Sequence, residues 1–271
     1  MKNISYQSGL LLNSFIAKDK QSFSYKEAIN SLKDSSVNAI KELLSDMTKR
    51  GLLMRVKKGV YYIIPYEQDA EQFMPNWHLL ASSLAEGTSH YIGYYSALQI
   101  HGLITQPSLH EMVVVNKQIR PSTIKVKNVN FQFIYHNEKH FFGAKETWID
   151  SYYKVLCSDL EKTIIDSLFK PEYAGGIVEI AKAIQTAHHK IDFNKLLKYC
   201  IQFDSQAVIK RLGFLLDFLD ILNPIREELQ RIKTASTVLL DTELPAVGKY
   251  SGTWSIQENF DLETIKSAIY T

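Results

Sequence analysis

The pattern of apolar and polar positions changes character twice along the chain. An apolar run over residues 9–17 predicts a first helix. Ser24, with Glu27 three residues later, matches a capping box and predicts a second helix reaching about Leu32. Asp34, Ser35 and Ser36 are N-cap residues for a third, and Gly51 supplies its C-terminal stop. In that third helix Val37, Ile40, Leu44 and Met47 recur at the spacing of one face. The opposite face carries Asn38, Lys41, Glu42, Ser45, Thr48 and Lys49. Residues 52–56 and 60–64 are β-rich runs on either side of the basic turn Lys57-Lys58-Gly59. Helix, helix, helix, strand, turn, strand is the order of a winged helix-turn-helix, predicted over residues 1–66.

After Pro65 the chain turns acidic and polar, and residues 67–75 read as a linker to a second domain over 76–271. Asn76 is a cap for a helix over 77–85, and residues 93–103 predict an aromatic helix closed by Gly102. Strands are predicted over 111–116, 124–126 and 129–135, with one further strand within 145–155. The alternation in 129–135 predicts a sheet with one wet face. From Ser158 the pattern becomes helical: 158–169 stopped by Pro171, then 176–188, 193–203, 205–222 and 224–231, with Asp192 and Asp204 as N-caps. A polar stretch over 233–251 and a short run at 253–256 lead to a last helix over 262–270. The predicted fold class is α+β: an N-terminal winged helix-turn-helix domain, then a larger mixed α/β domain with a C-terminal helical region.

Composition refines this picture in two places. With 271 residues, 45% of them hydrophobic, the chain has material for about two cores. Its net charge of +2 conceals an asymmetry, because residues 1–64 hold 11 Lys/Arg against 5 Asp/Glu. That concentrates positive charge on the winged-helix segment, as a nucleic-acid contact requires. The apolar run after Met1-Lys2-Asn3 is short, is interrupted by Asn13-Ser14 and precedes no small-residue cleavage site, so no leader is expected. No stretch approaches the roughly eighteen apolar residues of a membrane span, and a cytoplasmic protein with no membrane partner is expected. Cys157 and Cys200 share no metal-type spacing and are expected to be buried free thiols.

The candidate DNA-binding residues follow from the helix faces and the turn. Ser35, Ser36, Asn38, Lys41, Glu42, Ser45 and Lys49 would enter a major groove, where Asn pairs with adenine and Lys with guanine. Tyr25 and Lys26 at the start of the second helix are further candidates, and Arg55, Lys57 and Lys58 sit where a wing meets the neighbouring backbone or minor groove. The competing reading makes the winged helix a protein-docking module with solvated lysines.

Elsewhere the chemistry is sparse. There is no Walker loop, dinucleotide-binding glycine pattern or nucleophile elbow, and no catalytic residue, metal or cofactor is predicted. His188-His189 would splay about 100° apart on a helix, too far to share a metal. His101 reads as a hydrogen-bonded core residue, and His136 with His140 as a weak metal candidate short of ligands. Glu111 with Lys117, and Glu161-Lys162 with Asp166, fall short of a nuclease centre. The dense aromatics between residues 91 and 153 suit a core. Interleaved with Arg120, Lys125 and Lys127 they would instead form a second nucleic-acid or partner surface. A nucleic-acid-acting enzyme or RNA-binding effector targeted by the winged helix is therefore the alternative to a DNA-binding repressor.

Four segments occur in an order that resembles the AbiE-type abortive-infection antitoxins (the AbiEi family). They are the wing Lys58-Gly59-Val60-Tyr61-Tyr62, the aromatic helix from Tyr91-Ile92-Gly93-Tyr94-Tyr95 to His101-Gly102-Leu103, the helix Leu160-Glu161-Lys162-Thr163-Ile164-Ile165-Asp166-Ser167-Leu168, and the closing Lys249-Tyr250-Ser251-Gly252-Thr253-Trp254. The resemblance implies a non-enzymatic repressor that binds inverted repeats at its own promoter. It also implies a C-terminal domain that opposes a nucleotidyltransferase toxin in a type IV toxin–antitoxin pair, without a stable complex being required.

Overall fold

The computed structural model describes residues 3–269 and is mixed α/β, with several sheets. The chain divides between Gly87 and Thr88 into two units.

The N-terminal unit contains α1 (Tyr6–Ile16), β1 (Ser22–Ser24), α2 (Tyr25–Ser31), α3 (Val37–Lys49), β2 (Leu53–Lys57), β3 (Val60–Ile63) and α4 (Trp77–Leu84). The Ser24–Glu27 capping box forms as predicted, with the Ser24 hydroxyl accepting from the Glu27 amide and the Glu27 carboxylate from the Ser24 amide. Ser36 caps α3 by accepting from the Ala39 amide, and Gly51 ends it at φ +70°, where a Cβ would be strained. Ile40, Leu44 and Met47 face a core with Leu11, Phe15, Phe23, Leu32 and Ile63. Val37, predicted on that face, is instead 55% exposed; at the first helical position it lies beyond the reach of the core.

Two further features depart from the sequence pattern. A strand was not predicted before α2, yet β1 pairs antiparallel with β3, giving the sheet order β1-β3-β2. Three residues are too few to show a period, and Phe23 alone carries the apolar signal by stacking on Phe15 at 4.3 Å. The predicted boundary at residues 67–75 also moves, because α4 belongs to the first unit. Its last-turn carbonyl at Leu84 accepts from the Lys57 ammonium at 2.6 Å, and Ser83 bonds Ser22 at 2.5 Å.

The second unit is built on a six-stranded mixed sheet ordered β6-β7-β5-β4-β9-β8. Its strands are β4 (His90–Ile92), β5 (His110–Val115), β6 (Thr123–Val126), β7 (Val129–Tyr135), β8 (Ala144–Trp148) and β9 (Lys154–Ser158). β4 went unpredicted, and the single strand expected within 145–155 is a hairpin of β8 and β9. Its turn is held by the Asp150 carboxylate, which accepts from the Tyr152 and Tyr153 amides. The face of β7 expected to be wet carries half-buried Asn130 and Gln132.

Helices α5 (Tyr94–Ile100), α6 (Leu160–Phe169), α7 (Gly176–Ala187), α8 (Phe193–Phe203), α9 (Gln206–Phe218), α10 (Arg226–Ile232) and α11 (Leu262–Ile269) complete the unit. The predicted last residue of α11, Tyr270, lies outside the described residues. Asp204, expected to cap α9, instead ends α8 at φ +52°, and Ser205 takes the N-cap position of α9. Within the polar stretch, β10 (Val238–Leu239), β11 (Lys249–Ser251) and β12 (Ile256–Glu258) form a small sheet ordered β10-β12-β11. Trp254 enters the core beside α9 with its indole N–H donating to Asp217 at 2.8 Å.

That indole sits where a side chain at Gly213 would be: a Cβ there falls 2.1 Å from the ring. Gly213→Ala is therefore expected to destabilise the second unit. The overpacking cost lies toward the upper end of about 1–3 kcal/mol, against roughly 1 kcal/mol regained in helix propensity. Urea denaturation of wild type and variant measures the net loss.

Candidate nucleic-acid interface

The exposed side of α3 follows directly from its buried stripe. Ile40, Leu44 and Met47 turn inward, which places Asn38, Lys41, Glu42, Ser45 and Lys49 outward, all exposed. Ser36 is exposed and Ser35 half-buried at the entrance to the helix. Asp46 is drawn away from the outward stripe by Arg50 at 2.7 Å, and Arg50 also donates to Ser8 of α1. Glu42 is thus the one carboxylate among the outward candidates.

Tyr25 fastens this helix to the β2–β3 turn. Its backbone N–H donates to the Gly59 carbonyl at 2.7 Å, and its hydroxyl donates to the Val37 carbonyl at 3.2 Å. The turn, the start of α2 and the start of α3 are therefore joined through one residue. Lys26, Arg55 and Lys58 are exposed around this junction. Lys57 departs from the expected set: it is half-buried with its ammonium committed to Leu84, and burial holds its pKa below the ordinary lysine value. It is a structural tie between the strand and α4.

Residues 65–87 add Glu67, Asp69, Glu71 and Glu86 without a Lys or Arg, so the first unit as a whole carries 11 basic against 9 acidic residues. What distinguishes α3 and the turn is the local placement of the basic groups.

In the second unit the structure separates the residues of the other candidate surface. Lys125 pairs across from Asn130, and Ile124 from Phe131, so the pleat puts Lys125 on the opposite face from Phe131 and Phe133. Both Phe rings are buried. Lys127 lies in the β6–β7 turn at φ +52°, and Arg120 in the preceding loop, exposed. No single platform joins the three.

The titratable groups of the second unit converge instead on a buried network. Lys162 and Asp166, one turn apart on α6, form an ion pair with no exposed side-chain surface. Tyr91 accepts from the Lys162 ammonium at 2.9 Å and donates to the other Asp166 oxygen at 2.9 Å. Burial pulls Lys162 down and Asp166 up from their ordinary values. The Tyr94 hydroxyl is 2.7 Å from His136 Nε2, and His140 stacks on Phe203 with Nε2 3.1 Å from that residue's carbonyl. Asp159 and Glu161 bond Lys195 of α8 at 3.0 and 2.8 Å, while Glu111 is buried on β5. Among the described residues no group of three or more His, Cys, Asp or Glu is placed to hold a metal. His101 meets the Ser158 carbonyl at 2.8 Å. The His188 and His189 rings, expected to splay apart, lie in a 3-10 turn with their centroids 3.5 Å apart. Both cysteines are buried and free, their thiols pushed up to about 12 by burial.

Burial, followed by the neighbouring Lys162 charge, lowers the pKa of His136 from 6.5 to about 3. The unfolded chain then binds the proton in that interval and the folded chain does not. Stability therefore falls as pH drops from 6.5 toward 3, by up to about 1.4 kcal/mol per unit. His136→Gln is expected to make the decline between pH 6.5 and 4.5 shallower in urea denaturation, whatever its effect at neutral pH.

No protein-family model matches this chain, and neither does any curated protein. Among solved structures, the crystal structure of the RV2827C protein from Mycobacterium tuberculosis is similar over 100% of this chain and 97% of its own, with a TM-score of 0.70 at 12% identity. That likeness is one of fold. Among the described residues, no helix is long and apolar enough to cross a membrane.

Proposed function

We propose that the N-terminal unit is a winged helix-turn-helix that binds duplex DNA, with α2 and α3 as the helix-turn-helix and the β2–β3 hairpin as the wing. The observation that carries this reading is the Tyr25 junction, which fixes the Lys58-Gly59 turn beside the start of α3. A helix docks productively in a major groove only when its neighbours fix its orientation on the flanking phosphates. Asn38, Lys41, Ser45 and Lys49 then face base edges, with Ser35 and Ser36 at the helix entrance. Lys26, Arg55 and Lys58 meet the backbone, and Lys57 contributes by holding the strand to α4.

Together with the resemblance to AbiE-type antitoxins, this makes the chain a repressor of its own promoter and an antitoxin opposing a nucleotidyltransferase toxin. The DNA half can be tested directly, by titrating the protein against its own upstream duplex over a salt series.

Specific binding that weakens with salt is the expected result. Lys58→Ala should weaken it across all sequences and reduce the log–log salt slope by about 0.9, the value of one phosphate contact. Asn38→Ala should cost about 1–3 kcal/mol on the preferred site and little on random duplex. Lys57→Ala should leave the salt slope unchanged and lower thermal stability. Binding without site preference, or none at low salt, sinks the proposal.

A further inference from the structure

A cavity of about 250 Å³ opens in the second unit between the β5–β6 loop and the outer end of β7. Gln118, Ile119, Arg120 and Ser122 line it from the loop, and Phe133 and Tyr135 from the strand. The pleat accounts for the aromatic side: two residues apart on β7, Phe133 and Tyr135 share a face. Phe133 is 4% exposed and closes the cavity, while Tyr135, 45% exposed, forms its lip. The loop is fixed to the strand by the Phe133 amide, which donates to the Ser122 carbonyl at 2.7 Å.

The polar groups at this cavity are uncommitted. Among the described residues the side chains of Gln118, Arg120 and Ser122 make no hydrogen bond or ion pair with another part of the chain. A guanidinium, a hydroxyl and an amide thus share one concavity with two aromatic rings. An inorganic anion would leave the rings unused, and a neutral aromatic would leave the guanidinium unused. A ligand that satisfies both is planar at one end and anionic at the other. The volume falls just below the roughly 300–1,000 Å³ of drug-sized pockets, which suits one nucleotide and excludes a folded oligonucleotide.

We propose that this cavity is a nucleotide subsite: it takes a nucleoside 5′-phosphate, with the base stacked on Tyr135 and the phosphate on Arg120 and Ser122. Stacking on an aromatic ring tolerates any base, and arginine's planar fork matches phosphate oxygens. The same chemistry is offered by a free mononucleotide and by a nucleotide within a single strand. A duplex keeps its base faces stacked on one another and out of reach of Tyr135, so this site is independent of the proposed duplex contact by α3.

Isothermal titration calorimetry on the full chain tests the proposal with three probes: AMP, inorganic phosphate and single-stranded oligo(rA) of five nucleotides. AMP or the oligonucleotide should saturate one site, and phosphate should bind at least about tenfold more weakly, since it forgoes stacking. Tyr135→Ala and Arg120→Ala should each weaken binding by about tenfold or more, and Arg120→Lys should recover only part of the loss. Both residues are exposed, so the variants should keep the wild-type circular dichroism and melting temperature. Tighter binding of the oligonucleotide assigns the site to a strand, and equal or weaker binding assigns it to a free nucleotide; either upholds the proposal. It is overturned if neither nucleotide probe saturates at millimolar concentration, if phosphate binds as tightly as AMP, or if both alanine variants bind as wild type does.

Discussion

The second unit is organised by a salt bridge with no exposed side-chain surface. Placing Lys162 and Asp166 inside a core costs several kcal/mol per ion, and their mutual attraction repays this only when the remaining donors and acceptors are met. Tyr91 meets one on each side, accepting from the ammonium and donating to the carboxylate. Phe142 and Phe203 present their rings to the same ammonium at 5.0 and 5.1 Å. Apolar side chains of similar volume would fill the space at comparable stability. The pair also ties α6 to β4, since both ions lie on the helix and the Tyr91 that satisfies them lies on the strand.

The ends of α6 follow the same logic. It is buried on nearly every side, so its terminal backbone groups cannot rely on solvent. Asp159 caps the N-terminus by accepting from the Lys162 amide at 2.9 Å. At the other end the buried Arg211 donates to the Leu168 carbonyl at 2.7 Å and to the Leu239 carbonyl at 3.0 Å. A cation at a helix C-terminus complements the macrodipole, and here it also ties the small β10-β12-β11 sheet to the central helix. Burial lowers the Arg211 pKa to about 10, which still leaves it charged at neutral pH.

Much of the fold was legible because local signals were strong. The Ser24–Glu27 box, the Ser36 cap and the Gly51 stop are short-range devices whose chemistry is complete within a few residues, and all three form. The features that escaped depend on partners distant in sequence. β1 and β4 are three-residue strands defined only by β3 and by β5 and β9. The same limit applies at the candidate interface. Helical spacing placed Asn38, Lys41, Ser45 and Lys49 correctly on an outward face, while Lys57 looked equivalent to Lys58 until Leu84, 27 residues later, claimed its ammonium. Periodicity reports which way a side chain points, and carries no information on what lies in that direction.

The basic and aromatic residues of the second unit show how a pleat and a loop redistribute what sequence proximity suggests. Lys125 lies closer to Phe133 in the chain than Arg120 does, yet strand register sends Lys125 to the opposite face. Arg120, in a loop and so outside the two-residue alternation, returns over the Phe133–Tyr135 face and lines the cavity there. A nucleic-acid surface inferred by counting nearby cations would weight Lys125 above Arg120, and the geometry reverses that order. Within a sheet, a cation can act with an aromatic only if it shares its parity or leaves the strand.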